Sequence, residues 1–350
     1  MSTLLEWARA HGPVTARARI RVQPEDFRVE EVLGFEADGE GPHVMLKVEK
    51  RGSNTHWVAG QLARHAGVPP GEVGYAGLKD RYAVTVQHFT VNIDRRPEPD
   101  WSALGGEDFK ILSAARQRRK LKTGVLKGNR FRLVLRDLSE PAASLAPKLE
   151  AISKRGVPNY FGSQRFGRDG ANIPKAAAML SGERRIHHRR LRSLLLSTAR
   201  SLLFNAVLSH RVKAGNWDTL LEGDALMLDG SRSVFRSETG DAALPARLAS
   251  GDLHPTGPLW GWGEPMAGGA ARALEEVEIQ EHPALAQGLI GAGLEAARRS
   301  LRLPVREFSW QVPDDKTLIL EFYLPAGAYA TAVLRELVDV DGEQADAEED

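Results

Sequence analysis

Alternating, strand-like stretches occupy both ends of this chain and helical spacing occupies its middle, and that order restricts the fold more than any other feature. Residues 18–32 read as extended around the turn-like Gln23-Pro24-Glu25-Asp26, and residues 43–49 alternate as a strand does. Residues 54–66 have helical spacing behind an Asn54 or Thr55 cap, ended by Gly67 and Pro69-Pro70-Gly71. Strands follow at 72–78, 83–92 and 129–135. From 173 to about 210 the pattern turns helical, with Leu195, Ala199, Leu202, Leu203, Ala206 and Val207 on one face. Residues 251–269 hold six Gly, three Pro and two Trp, which predicts a long loop or lid, and 284–302 again reads as helix. Strands at 309–312 and 318–324 and a helix at 330–338 complete the pattern. A helix-rich block inside a strand-rich one predicts an α+β protein. Its discontinuous domain, 1–157 plus 304–340, is interrupted by an inserted domain at 158–303, and 350 residues suffice for both.

The formal net charge of +1 hides an asymmetry. Residues 336–350 contain eight acids and no Lys or Arg, so the rest of the chain sets 47 basic residues against 38 acidic ones. The last ten residues, 341–350, are too polar and acidic to bury a core and read as a disordered tail. Between 113 and 136 lie nine cations (Arg116, Arg118, Arg119, Lys120, Lys122, Lys127, Arg130, Arg132 and Arg136) and no acid. Residues 184–192 add five arginines and two histidines, again without an acid. One such block is usually a solvated surface; two of them with an acidic tail point toward a polyanion such as nucleic acid.

Much chemistry is excluded. The chain has no cysteine, so it has no disulfide framework, thiolate metal site or cysteine nucleophile. It lacks a Gly-Lys dipeptide, a G-x-S-x-G elbow and a G-x-G-x-x-G fingerprint, and no two histidines stand four apart as on a metal-binding helix. Gly105-Gly106-Glu107-Asp108-Phe109 reads as a turn. The first twelve residues carry Glu6, Arg9 and His11 and no apolar segment of signal-peptide type, and no apolar run reaches membrane-spanning length. The cytoplasm is the expected location.

One constellation remains. Gly74-Tyr75-Ala76-Gly77-Leu78-Lys79-Asp80-Arg81-Tyr82-Ala83-Val84-Thr85 sets a carboxylate between two cations at the end of a strand. Taken alone, such an aspartate is equally a turn former.

The segment resembles the active-site motif, A-G-x-K-D followed by A-V-T, of the TruD family of tRNA pseudouridine synthases. Further resemblances follow in the family's order: Pro24-Glu25-Asp26-Phe27, then Leu126-Lys127-Gly128-Asn129-Arg130-Phe131, then Val157-Pro158-Asn159-Tyr160-Phe161-Gly162-Ser163-Gln164-Arg165-Phe166-Gly167. Ala199-Arg200-Ser201-Leu202-Leu203-Phe204-Asn205 and Leu324-Pro325-Ala326-Gly327-Ala328-Tyr329-Ala330-Thr331 complete the set, which spans nearly the whole chain. The resemblance implies isomerisation of uridine to pseudouridine at position 13 of tRNA. It also implies a catalytic domain with a mixed, largely antiparallel sheet, interrupted by an α/β insertion.

It implies roles as well. Asp80 is the catalytic aspartate, nucleophile or base. Arg21, where the family carries Lys, is its ion partner. Asn129 faces the uracil edge, and Phe27, Phe131 and Tyr329 (Phe in the family) are stacking walls for a base taken out of the RNA stack. The motif beginning at Val157 either contacts RNA or ties the two domains together, and Arg200 is expected to snorkel to solvent from its helix. The two basic blocks are assigned to the tRNA backbone. The reaction needs no metal and no small-molecule cofactor; the expected partner is tRNA, with no membrane, and the expected state is a monomer. Two other classes compete. A binding module without chemistry would not need the intact Gly77-Leu78-Lys79-Asp80-Arg81, and a metal-dependent nuclease would need clustered acids that the sequence lacks.

Overall fold

A computed structural model describes residues 6–94, 96–238 and 240–341. The acidic tail expected from residue 341 onward therefore lies, apart from Asp341 itself, outside the described residues. The chain begins with β1 (Arg17–Arg19), β2 (Phe27–Val32), β3 (His43–Arg51), α1 (Thr55–His65), β4 (Val73–Tyr75), β5 (Val84–Asn92), β6 (Phe109–Gln117) and β7 (Gly128–Leu135). Its middle holds α2 (Ala146–Arg155), β8 (Val157–Pro158), α3 (Asn172–Leu180), α4 (Arg189–Lys213), β9 (Ala225–Leu228), β10 (Val234–Arg236) and α5 (Leu244–Ala249). There follow β11 (Leu253–Leu259), α6 (Gly269–Gln280), α7 (Pro283–Gly291), β12 (Ala297–Ser300) and β13 (Arg302–Leu303). The chain continues through β14 (Arg306–Asp314), β15 (Thr317–Pro325), α8 (Ala330–Leu337) and β16 (Asp339–Asp341). The fold is α+β.

Two compact units share these elements: Thr15–Ala146 with Arg306–Gly327 and Val338–Asp350, and Met1–Val14 with Pro147–Val305 and Ala328–Leu337. Periodicity places the insertion at 158–303; the units assign α8, the N-terminal arm and α2 from Pro147 to the helix-rich part. Hydrogen bonds explain that assignment. Glu336 of α8 is fully buried and accepts from the N–H groups of Ala10 and His11, while Arg335 donates to the main-chain oxygens of Trp7 and Ala8. Bonds between a helix and a distant arm leave no periodic trace.

In the strand-rich unit the sheet runs β14-β15-β7-β2-β5-β3-β6, with β4 also paired to β5. Most neighbours are antiparallel; β2 and β5 are parallel. Val44, Leu46 and Val48 of β3 point one way and meet Val58 and Leu62 of α1, along with Phe89 and Val91, in a core closed by Trp101 and Phe109. Asn54 caps α1 by accepting the N–H of Trp57.

In the helix-rich unit, α4 is the spine. Leu195, Leu196, Ala199, Leu202 and Leu203 pack with Ala176 of α3, Ile279 of α6 and Leu285 and Leu289 of α7. By length and composition α4 could cross a membrane, but 67% of its most apolar stretch is buried in the fold, as befits a core helix. Its sheet runs β10-β9-β11-β12.

Two expectations fail here. The lid predicted at 251–269 contains β11, a buried strand. Leu253–Pro255 pair with β9 and Thr256–Leu259 with β12, and Pro255 O accepts the N–H of Leu301 at 2.8 Å, so the strand passes from one neighbour to the other at Pro255. The helix predicted at 284–302 ends at Gly291, because Gly293 takes φ +76°, and the chain continues as β12 and β13.

Candidate active site

The parallel pair at the centre of the strand-rich sheet sets the geometry. Arg28 lies opposite Val84 and Glu30 opposite Val86, so the segments that enter β2 and β5 end side by side. The first carries Arg21 and the second, between β4 and β5, carries Asp80. Arg21 Nη2 donates to Asp80 Oδ2 at 2.6 Å, with the arginine side chain 16% and the aspartate 37% exposed. Arg21 stands at φ +54°, a left-handed conformation that costs a non-glycine residue about 1–3 kcal/mol. Its guanidinium also lies 4.2 Å from the Phe27 ring centre.

The turn before β2 is held by a buried carboxylate. Asp26 accepts from Arg136 at 2.8 Å and 2.9 Å and from the N–H of Gln23 at 3.2 Å. The Pro-Glu-Asp-Phe element thus fixes the backbone that presents Arg21 and Phe27.

The main chain around Asp80 has little regular pairing and is clamped by side chains instead. Lys50 Nζ donates to Ser53 O at 2.6 Å and to Asp80 O at 2.9 Å. Gln87 Nε2 donates to Gly77 O at 3.1 Å, and the N–H of Lys79 donates to Thr55 Oγ1 at 3.2 Å. Lys79 Nζ reaches Glu31 Oε1 at 2.7 Å, and the N–H of His88 donates to Glu31 Oε2 at 2.9 Å. Burial pushes the Glu31 carboxyl up, but the donors of His88 and the Lys79 ammonium outweigh it and hold the group below the usual carboxylate range.

Opposite Glu31 in register stands Asn129 of β7, whose Oδ1 is buried and has no hydrogen-bond partner among the described residues. Gly128 precedes it because a Cβ there would collide with the Tyr323 hydroxyl and Leu324 O. The Phe131 ring stacks on Phe322 with centres 5.3 Å apart and meets Phe27 edge-on at 6.4 Å. Both phenylalanines are buried. Rather than standing open as walls, Phe27 supports the Arg21 guanidinium and Phe131 backs Phe27. The assembly is a partly exposed carboxylate, oriented by a guanidinium and held by a clamped main chain, while the unpaired amide oxygen of Asn129 belongs to the residue opposite Glu31, the partner of Lys79.

A family model described as tRNA pseudouridine synthase D (TruD) matches residues 13–182 and 175–337 of this chain. The chain belongs to the tRNA pseudouridine synthase D family. It is 49% identical over 333 residues to tRNA pseudouridine synthase D of Methylococcus capsulatus, covering 95% of this chain and 94% of that protein. It is 50% identical over 328 residues to the protein of that name from Nitrosococcus oceani, covering 93% and 92%. The crystal structure of a Methanosarcina mazei protein assigned as tRNA pseudouridine synthase D superposes with a TM-score of 0.76 over 97% of this chain and 96% of that one. At 22% identity that likeness shows the fold.

Within this TruD-family chain, five of the six expected site residues (Arg21, Phe27, Asp80, Asn129 and Phe131) lie in the strand-rich unit. Tyr329 lies in the helix-rich unit, where its hydroxyl accepts from Arg165 Nη2 at 2.8 Å. The motif beginning at Val157 is bonded inside that same unit. Asn159 Nδ2 donates to Ser300 O at 2.9 Å, and Phe161 exchanges bonds of 2.9 Å and 3.0 Å with the Asn205 side chain. Arg299 stacks over Phe161 at 4.2 Å. Arg200 does not snorkel: it donates to Leu259 O and Glu295 O at 2.6 Å and 2.9 Å, and desolvation lowers its pKa.

Several supporting residues escape a reading of sequence. Lys50 has a partial signal, because it continues the inward row Val44, Leu46, Val48, where a lysine is out of place. Glu31, Thr55 and Gln87 have none. Leu78 and Tyr82 flank Asp80 and are 47% and 52% exposed, an apolar pair in solvent beside a carboxylate.

Proposed function

We propose that this protein isomerises uridine to pseudouridine at position 13 of tRNA, acting in the cytoplasm as a monomer without metal or small-molecule cofactor, and that Asp80 carries the chemistry. Relatives about half identical along almost their whole length bear the family's name. The observation that carries the residue assignment is the Asp80 carboxylate, bonded to Arg21 and clamped through its own main-chain oxygen by Lys50.

Two routes are open to this carboxylate. In one, it adds to C1′ of the flipped nucleotide as the N1–C1′ bond breaks; the uracil anion turns, its C5 displaces the carboxylate from C1′, and the C5 proton is lost while N1 gains one. In the other, it removes the 2′ proton as uracil departs, leaving a C1′=C2′ double bond. C5 then adds to C1′, C2′ regains its proton, and C5 loses one as N1 takes one up. Both are isomerisations with no net gain or loss of atoms. Arg21 orients the carboxylate, and the unpaired Asn129 oxygen suits the N3–H of uracil.

Asp80→Asn tests the assignment. Pseudouridine formation in purified tRNA should fall to background, while melting temperature and tRNA affinity stay near those of the wild type, because binding draws on cations rather than on this carboxylate. Near-normal yield from the variant would overturn it.

A further inference from the structure

The acid-free run at 113–136 is not acid-free in three dimensions. Arg116 pairs with Glu98 at 3.0 Å, Arg130 with Glu307 at 3.0 Å, Arg132 with Glu321 at 3.3 Å and Arg136 with the buried Asp26 at 2.8 Å; Arg118 pairs with Glu40. Lys120 donates to Gly71 O. A phosphate approaching these arginines also meets their carboxylates, so little counterion release is left to gain there.

The block at 184–192 is built differently. Among the described residues, none of Arg184, Arg185, Arg189, Arg190 and Arg192 forms an ion pair, and all five are exposed. Three of them sit in the opening turn of α4, where no acid offsets them and the helix dipole opposes them. The backbone that carries them is nonetheless pinned. The N–H of Arg184 donates to Ala178 O at 2.9 Å, Ile186 packs on the core of α3, α4 and α7, and His188 caps α4 by accepting the N–H of Leu191 at 3.3 Å. The result is a row of exposed like charges on a pinned backbone, and a polyanion would relieve their mutual repulsion.

We infer that residues 184–192 are the surface by which the helix-rich unit grips the phosphate backbone of an RNA, and that the paired arginines of 113–136 are not part of that grip. The identity of the RNA as substrate rests on the function proposed above. The choice of this block over those paired arginines rests on its charges alone.

The test is tRNA binding by the full chain over a range of salt concentrations. Replacing all five arginines by glutamine should weaken binding at least ~10-fold near 0.15 M salt and flatten the plot of log K against log[salt] by roughly 0.7–0.9 for each phosphate no longer neutralised. Melting temperature should hold or rise, because repulsion is relieved. A matched variant, R118Q/R130Q/R132Q, should leave the slope as it is. A wild-type slope in the five-arginine variant, or equal flattening in the matched one, would overturn the inference. So would loss of binding to anionic lipid vesicles with the tRNA slope intact. Pseudouridine formation by the wild-type chain is scored separately. If tRNA is bound with the expected slope but no pseudouridine forms, the proposed reaction falls and this surface stands; if it forms while the slope is insensitive, the reverse holds.

Discussion

Lys50 Nζ donates to the main-chain oxygen of Asp80 at 2.9 Å, from the end of a row of β3 side chains that otherwise builds the core. Position of the Asp80 carboxylate is thereby tied to a core strand and does not depend on the pairing of its own loop. The same ammonium serves Ser53 O, so one buried side chain closes two turns.

Lys50→Met should keep the stem's packing and remove both bonds. Buried carbonyls left without a donor cost about 1–3 kcal/mol, so the melting temperature should drop. Turnover at saturating tRNA should fall further than the loss of folded protein explains, with affinity little changed. Single-turnover rates corrected for the folded fraction decide it; a rate that tracks folding alone would make Lys50 a core residue only.

Glu31 gives an acid limb whose sign is fixed. Its folded pKa is depressed, so its contribution to stability is fully present above the unfolded value of about 4.3 and is lost as pH falls through the lower folded value. Glu31→Gln should cost stability at pH 7 and flatten the fall of melting temperature below about pH 4.3. Parallel acid limbs in the two proteins would count against this role.

Arg21 can be separated into charge and shape. Arg21→Lys keeps a cation for Asp80 but gives up the planar contact with Phe27, and turnover should stay within about tenfold. Arg21→Met frees the carboxylate to wander, and losses on the order of 10²-fold are expected from a misplaced reacting group. Equal rates from the two variants would show that the ion pair does not position Asp80.

Tyr82 and Leu78 offer apolar surface next to Asp80 at no structural cost. Stacking of a base on an aromatic ring contributes about 1–3 kcal/mol, so Tyr82→Ala should weaken tRNA binding by roughly tenfold or more. Its melting temperature should match the wild type, since half of the side chain is already in water. Unchanged affinity would leave Tyr82 without a part in recognition.

The alternation in β3, the cap at Asn54 and the α4 stripe are legible in sequence because each is a local pattern. The Asp80 segment is legible as a motif, and its contact with Arg21 follows once β2 and β5 are known to be parallel. What stays hidden depends on partners far along the chain. Arg130 reads as a free cation until Glu307 is brought beside it, and Arg200 reads as a surface residue until Leu259 O and Glu295 O close over it. Gly and Pro around 255–258 imitate a loop because composition cannot show a strand changing partners.

The helix-rich unit is assembled from three separate pieces of chain, and Glu336 at its heart is bonded by one of them from within another. Residues 158–303 are therefore not a portable cassette. Grafted into another protein, they would carry along neither the carboxylate nor the arm that it holds, so recombination at those two points should yield insoluble or proteolysed chimaeras. A successful transplant would have to move residues 147–305 together with α8 and the first fourteen residues.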